Sequence, residues 1–111
     1  MIDQVCDQLT RVLGLRRCRF DYGSGVVGGD RLRLRPDGQV VWRGAVCDVE
    51  RDGMPVDREI ELLLSGSGTY RGRFLLTAQP ASRPTLAQRL VAIALADRAD
   101  AVLAEHRGRQ D

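Results

Sequence analysis

The sequence is poor in several residue types that carry chemistry in other proteins. It has no lysine, so all 17 basic residues are arginine, and it has one histidine, three cysteines and only 5% aromatic residues. The formal net charge of +2 is too small to indicate a nucleic-acid-binding protein. The scarcity of aromatic residues also argues against a sheet that stacks RNA bases. We therefore expect no nucleic-acid partner.

The cysteines and the histidine do not form a recognisable site. The number of cysteines is odd, and Cys6, Cys18 and Cys47 are widely spaced. This pattern is typical neither of a disulfide framework nor of a zinc site. The one histidine, His106, lies near the end of the last predicted helix, and no set of acid, base and nucleophile can be assembled around it. We expect no metal, no cofactor and no enzyme activity.

The chain also lacks a long apolar run. No stretch approaches the roughly 20 apolar residues that span a membrane, and no secretory signal opens the sequence. Together with the cysteine usage, this predicts a cytoplasmic protein without direct membrane insertion. At 111 residues, of which 43% are hydrophobic and 29% charged, the chain is expected to form a single domain, residues 1–111.

Helical periodicity is present at both ends of the chain. Apolar residues recur at helical spacing over residues 2–14, and Gly14 is well placed to end this first helix. The run 84–105 contains no glycine and only one proline, at its start. Thr85 and Gln88 have the spacing of a capping box at its beginning. The sequence therefore predicts an N-terminal and a C-terminal helix.

The C-terminal helix carries two apolar stripes where a helix that only closes its own core needs one. The first stripe consists of Leu86, Leu90, Ile93, Ala94, Ala101 and Ala104, and the second of Val91, Leu95, Ala99 and Val102. The second stripe predicts contact with another copy of the chain, and hence a homodimer. The predicted dimer surface is Val91, Leu95 and Val102, with Ile2, Val5 and Leu9 as partners.

Between the helices the hydrophobic period changes to two, as in strands. Alternating runs occupy residues 17–22, 31–35, 39–43, 57–64 and 70–77. Their connections are short and hairpin-like, so the strands should pair antiparallel. The fold class predicted is α+β: a two-layer domain with an antiparallel sheet of about five strands, covered on one face by the N- and C-terminal helices.

One predicted strand is rich in arginine and has two interpretations. Arg31, Arg33 and Arg35 project from one face, where they would bind an anionic ligand or an acidic partner. Alternatively, they form a solvated face and protect an edge strand from pairing. Glu59 and Glu61 would offset these charges across the sheet.

Two further features indicate a ligand only weakly. Trp42 either fills the core or lines a ligand pocket between the sheet and the 44–57 loop. Residues 23–28, GSGVVG, match the dinucleotide-binding string. That motif works only where the loop opens a helix, and here an alternating strand follows it. We expect a loop between strands.

Four stretches carry a resemblance to a known family. Residues 13–20 (LGLRRCRF), 49–62 (VERDGMPVDREIEL), 70–76 (YRGRFLL) and 83–97 (RPTLAQRLVAIALAD) resemble compact sensory domains of the GAF or PAS type. They are similar to the GAF-like segment that follows the four-helix membrane domain in actinobacterial proteins related to the potassium-sensor histidine kinase KdpD.

The resemblance implies a cytoplasmic signalling module of two-component systems, dimeric through its terminal helices. The resemblance also implies that this module works with a signalling protein partner, or with a fused kinase or membrane domain. No ligand residues of the family can be assigned to this sequence, and the phospho-accepting helix and ATP-binding domain of the kinases have no counterpart here. The alternatives are a small-ligand sensor that uses the pocket beside the 44–57 loop, and an interaction scaffold that binds a partner along an exposed strand edge.

Overall fold

The structure, a computed structural model, describes residues 1–23, 31–64 and 70–110, with side chains described as far as Glu105. Three features of the sequence lie outside the described residues. They are residues 24–28 of the glycine-rich string, residues 65–68 (SGSG) between the last two predicted strands, and the side chain of His106.

The described residues form three helices and six strands. In chain order these are α1 (Ile2–Leu13), β1 (Leu15–Tyr22), β2 (Leu32–Leu34), β3 (Val40–Trp42), β4 (Ala45–Cys47), α2 (Val49–Asp52), β5 (Ile60–Leu64), β6 (Gly72–Ala78) and α3 (Leu86–Gln110). The α+β fold class is therefore confirmed. Strand β4 and the short helix α2 fall in the 44–57 segment, which the sequence predicted as a loop.

The predicted end of α1 and the predicted start of α3 are confirmed. Gly14 follows α1 in the left-handed conformation, with φ 65°, which glycine adopts without the steric cost of a Cβ atom. At the start of α3, the Gln88 amide N–H donates to Thr85 Oγ1 at 3.1 Å, and the Thr85 N–H donates to Gln88 Oε1 at 2.8 Å. This reciprocal pair is a capping box, which satisfies amides that the first helical turn leaves free.

The strands form one open sheet in the order β1-β6-β5-β2-β3-β4. Most neighbours are antiparallel, as predicted, but β2 and β5 are parallel. The parallel pair arises because β2 does not pair with β1, its predecessor in the chain, but joins the sheet on the far side of β5. Strand β2, which carries Arg33 of the predicted arginine-rich run, therefore lies inside the sheet, so Arg33 does not protect an edge.

A single core cluster joins the helices to the sheet. Val5, Leu9 and Leu13 from α1 pack with inward-facing strand residues such as Ile60 and Phe74. Phe74 and Leu9 are fully buried, and each side chain of this size contributes about 1.5–3 kcal/mol when it leaves water. This cluster fixes α1 against the sheet.

The rotation of α3 differs from the sequence prediction. Leu86 and Leu90 of the predicted first stripe are 40% and 43% exposed, whereas the helix buries the alanines Ala92, Ala96 and Ala99. Alanine side chains are short, so they allow a helix to lie close to the surface it packs on. Of the larger aliphatic side chains of α3, Val91 and Val102 are left exposed like the two leucines, whereas Ile93, Leu95 and Leu103 pack partly against the core.

Two buried polar residues fix this rotation. Arg89 Nη1 donates to the Gly38 carbonyl at 2.8 Å, and Asp100 Oδ1 lies 3.0 Å from Arg71 Nε. Arg89 and Asp100 are each 4% exposed. A buried charge that loses its partner is costly, so these two contacts determine which side of α3 faces the sheet.

Candidate functional site

The outer side of α3 is the first candidate site. Val91 and Val102 are 48% and 46% exposed, and Leu95 between them is half-buried against the core. The three side chains lie on one side of the helix because their spacing of four and seven residues matches helical periodicity. The structure therefore brings together these three residues of the predicted dimer surface.

The predicted partner residues on α1 are placed differently. Val5 and Leu9 are 8% and 0% exposed and belong to the core of their own chain, so neither is available to a second copy. Ile2 is half-buried and Met1 is exposed. The sequence identified the apolar face of α1 but not what covers it, and in the structure the core of the same chain covers it.

A narrow cleft shows how the two helices meet. It is lined by Met1, by Val5 and Gln8 of α1, and by Leu95 and Val102 of α3, among others. The start of α1 thus lies beside the later turns of α3, and the helices run antiparallel. We call Met1, Ile2, Val91, Leu95 and Val102 the helix surface. Met1 was missed by the sequence reasoning because no periodic pattern marks a first residue.

The second candidate site is a row of alternating charges across four strands, which we call the charge ladder. It consists of Asp21 on β1, Arg73 on β6, Glu61 on β5 and Arg33 on β2. The Arg33 guanidinium donates to Glu61 Oε1 at 2.9 and 3.1 Å. Arg73 donates to Glu61 Oε2 and, at 3.0–3.1 Å, contacts Asp21 Oδ2. Each charge in the ladder is paired with a neighbour of opposite sign.

Burial makes the charge ladder unusual. Glu61 is fully buried and Arg73 is 7% exposed. Leu75, opposite Glu61 in the register, is also buried but does not belong to the core cluster. The side of the sheet that carries the ladder therefore has a buried polar centre of its own.

The arginines predicted as an anion-binding surface are mostly engaged. Arg33 pairs with Glu61, and Arg35 Nη2 lies 2.8 Å from Asp37 Oδ2; Arg31 is exposed. Nearby carboxylates thus neutralise much of this charge, as the sequence predicted for Glu61. The paired guanidiniums are a weaker anion site than three free ones.

A more exposed ion pair joins Arg19 to Glu59. The Arg19 guanidinium donates to both carboxylate oxygens at 2.9 and 3.0 Å. The hydrogen bonds from Arg19 lower the pKa of Glu59, while partial burial opposes the shift. Two charge-assisted hydrogen bonds from one guanidinium stabilise the ionised carboxylate more than hydrogen bonds from neutral donors do.

We expect Glu59→Gln to destabilise the fold at neutral pH by no more than about 1 kcal/mol, because exposed pairs contribute little. Since the pKa of Glu59 is lower in the folded state, its contribution is present above the ordinary carboxyl pKa and is lost as the pH falls through the folded value. Urea unfolding of both proteins across this range should show the difference shrinking in acid. Asp57→Asn, at another exposed carboxylate, is the control. A difference that grows in acid would contradict the assignment.

Trp42 does not line the predicted pocket. The guanidinium carbons of Arg43 and Arg58 lie 5.0 and 4.6 Å from its ring centroid, within cation–π range. The 44–57 segment does form an open groove, lined by residues from Val46 to Asp57. Trp42 is not among these residues; its half-buried ring packs against the core.

The described part of the chain holds no group of three or more His, Cys, Asp or Glu side chains arranged to bind a metal ion. Among the same residues, no helix combines the length and apolar character needed to cross a membrane. Comparison of the chain with protein-family models, with curated proteins and with solved structures finds no match.

Proposed function

We propose that the chain is a GAF-like, two-layer regulatory domain that relays a signal through contacts between its terminal helices and those of a second copy. The observation that carries the proposal is the composition of α3. This helix buries alanines and leaves Val91 and Val102 about half exposed. A helix that served only its own core would bury its larger aliphatic side chains.

The arrangement of the helices supports a mechanical relay. The start of α1 lies beside Leu95 and Val102 of α3, so a shift of α1 would change the helix surface directly. A ligand or partner that favours one packing of the two helices would shift the population of dimers. The output would pass to a signalling protein partner, or to a fused kinase or membrane domain.

The charge pairs on the sheet make the helix surface a better candidate contact site than the arginines of the sheet. The charge ladder and the Arg19–Glu59 pair engage arginines that would otherwise attract an acidic partner. The helix surface, by contrast, consists of aliphatic side chains and a methionine, with Arg98 as the charged residue in the cleft beside them. Apolar side chains that cluster at the surface are characteristic of contact sites between proteins.

The proposal predicts that Val91→Arg and Val102→Arg each weaken dimerisation by at least about 10-fold, equivalent to about 1.4 kcal/mol. An arginine at either position would place an unpaired charge in an apolar contact. Both side chains are about half exposed, so the monomer fold should be retained. Leu95 is less suitable, because it packs partly against the core. Sedimentation equilibrium measures the dissociation constant.

Leu90→Arg is the matched control for these variants. Leu90 is 43% exposed, close to the value of Val91, but it points about 100° away around the helix. It should leave the dissociation constant unchanged. If Leu90→Arg disrupts the dimer while Val91→Arg and Val102→Arg do not, the contact lies on a different side of α3.

A further inference from the structure

Cys6 and Cys18 lie next to each other although they belong to different elements. Cys6 is on α1 and Cys18 is on the edge strand β1, and both are half-buried free thiols. Each thiol shifts the pKa of the other, and both line one surface groove, so the two side chains are neighbours. A disulfide needs two such neighbouring side chains, with Cβ atoms roughly 3.5–4.5 Å apart.

Both thiols are also open to small molecules. They line the same surface groove, which runs between the first turns of α1 and the edge strand and ends at Val102 and Leu103 of α3. The charged residues in its lining are Asp3 and Asp7 of α1 and Arg19 of β1. A reagent can therefore reach the pair without unfolding of the chain.

Cys47 is separated from this pair. It lies on β4, and β1 and β4 are the two edges of the sheet. Five strand spacings, roughly 24 Å, lie between them. Cys47 cannot bridge to Cys18 in the folded chain, so it is an internal reference for thiol reactivity.

We propose that Cys6 and Cys18 form a reversible disulfide by exchange with a low-molecular-weight disulfide. The thiolate of Cys6 attacks one sulfur of the small disulfide and releases one small thiolate, which leaves a mixed disulfide on Cys6. The thiolate of Cys18 then attacks the Cys6 sulfur and releases the second small thiolate. The two cysteines lose their protons and two electrons, and the small disulfide is reduced to two thiols.

The order of attack follows from the environment of each sulfur. Burial raises the pKa of both thiols, most strongly that of Cys18, and the charges of Asp3 and Asp7 raise the pKa of Cys6 further. The neighbouring Cys18 thiol opposes these effects on the pKa of Cys6. Since the thiolate is the nucleophile, Cys6 is the first to react and Cys18 resolves the mixed disulfide. Because both pKa values are raised, both steps become faster as the pH rises.

The bridge would tie α1 covalently to the edge strand. It closes a short loop of the chain, which restricts the unfolded state and stabilises the folded one. The inference is independent of the proposed dimer, because the covalent state of the cysteines is measured without reference to oligomeric state.

The test is incubation of the reduced, folded protein with oxidised glutathione, followed by intact mass and peptide mapping. We expect the loss of two hydrogens, a peptide cross-linked between Cys6 and Cys18, and a higher Tm for the oxidised protein. Cys47→Ser should behave in the same way. Cys6→Ser and Cys18→Ser should each carry glutathione on the remaining cysteine of the pair and form no internal bridge. Circular dichroism checks that each variant is folded.

A parallel reaction in denaturant separates folded-state geometry from chance pairing. The unfolded chain should give bridges that include Cys47, whereas the folded chain should give only the bridge between Cys6 and Cys18. Three results would overturn the proposal: stable glutathione adducts on Cys6 or Cys18, bridges to Cys47 in the folded protein, or no reaction under folded conditions.

Discussion

Glu61→Ala is expected to destabilise the fold by about 3 kcal/mol, the lower end of the range for breaking a buried ion pair. Glu61 is fully buried and accepts hydrogen bonds from Arg33 and Arg73. Its removal leaves the Arg73 side chain, which is 8% exposed, with Asp21 as its remaining carboxylate in the charge ladder. Arg33 is a third exposed, so water compensates part of its loss.

Urea unfolding at neutral pH measures this effect, with Glu59→Ala as the control. Glu59, which directly precedes β5, is also a glutamate paired with an arginine, but the side chains of both partners are substantially exposed. The control should cost no more than about 1 kcal/mol. Equal losses in the two variants would show that Glu61 is solvated like Glu59, which would contradict the buried ladder.

Gly72→Ala is expected to destabilise the fold by about 2–5 kcal/mol, through backbone strain together with overpacking. Gly72 opens β6 with φ 155°, and a Cβ atom there would lie 2.5 Å from Phe20 Cζ and 2.8 Å from the Asp21 carbonyl oxygen. The phenyl ring can turn away. The Asp21 carbonyl belongs to the backbone of β1, which must move.

Gly44→Ala is the comparison for a positive φ without a close contact. Gly44 has φ 80°, but a Cβ atom there would meet nothing within 4 Å. This variant therefore carries only the cost of the left-handed conformation, about 1 kcal/mol. Thermal unfolding of both variants gives the comparison. If Gly72→Ala is no more destabilising than Gly44→Ala, the close approach of β1 and β6 is not rigid.

The elements of the fold were predicted where a local pattern decides them. The capping box at Thr85 and Gln88, the stop at Gly14 and the alternating strands all depend on residues a few positions apart. Strand β4 was missed because three residues, Ala45–Cys47, are too few to show a period.

The pairing of distant elements could not be predicted in the same way. The parallel contact of β2 with β5 depends on which strand edge remains free after the hairpins form. The rotation of α3 depends on Arg89 and Asp100, whose partners are Gly38 and Arg71. Nothing local in an alanine-rich helix indicates which stripe is buried.

The candidate site was predicted only in part, because the packing between distant elements cannot be inferred from a local pattern. Val91 and Val102 of the second stripe are exposed, as that prediction requires, but Ala99 of the same stripe is buried in the core. Burial of Val5 and Leu9 could be learned only from how α1 packs. The burial of Glu61 was not predicted, because an alternating strand indicates two faces but not that the polar face has a buried centre.

The most direct test of the proposed function is sedimentation velocity of the reduced wild-type chain over a wide range of concentration. We predict a reversible monomer–dimer equilibrium, with hydrogen exchange on α3 slowed around Val91 and Val102 in the dimer. A chain that remains monomeric at millimolar concentration would contradict a relay through helix contacts between two copies.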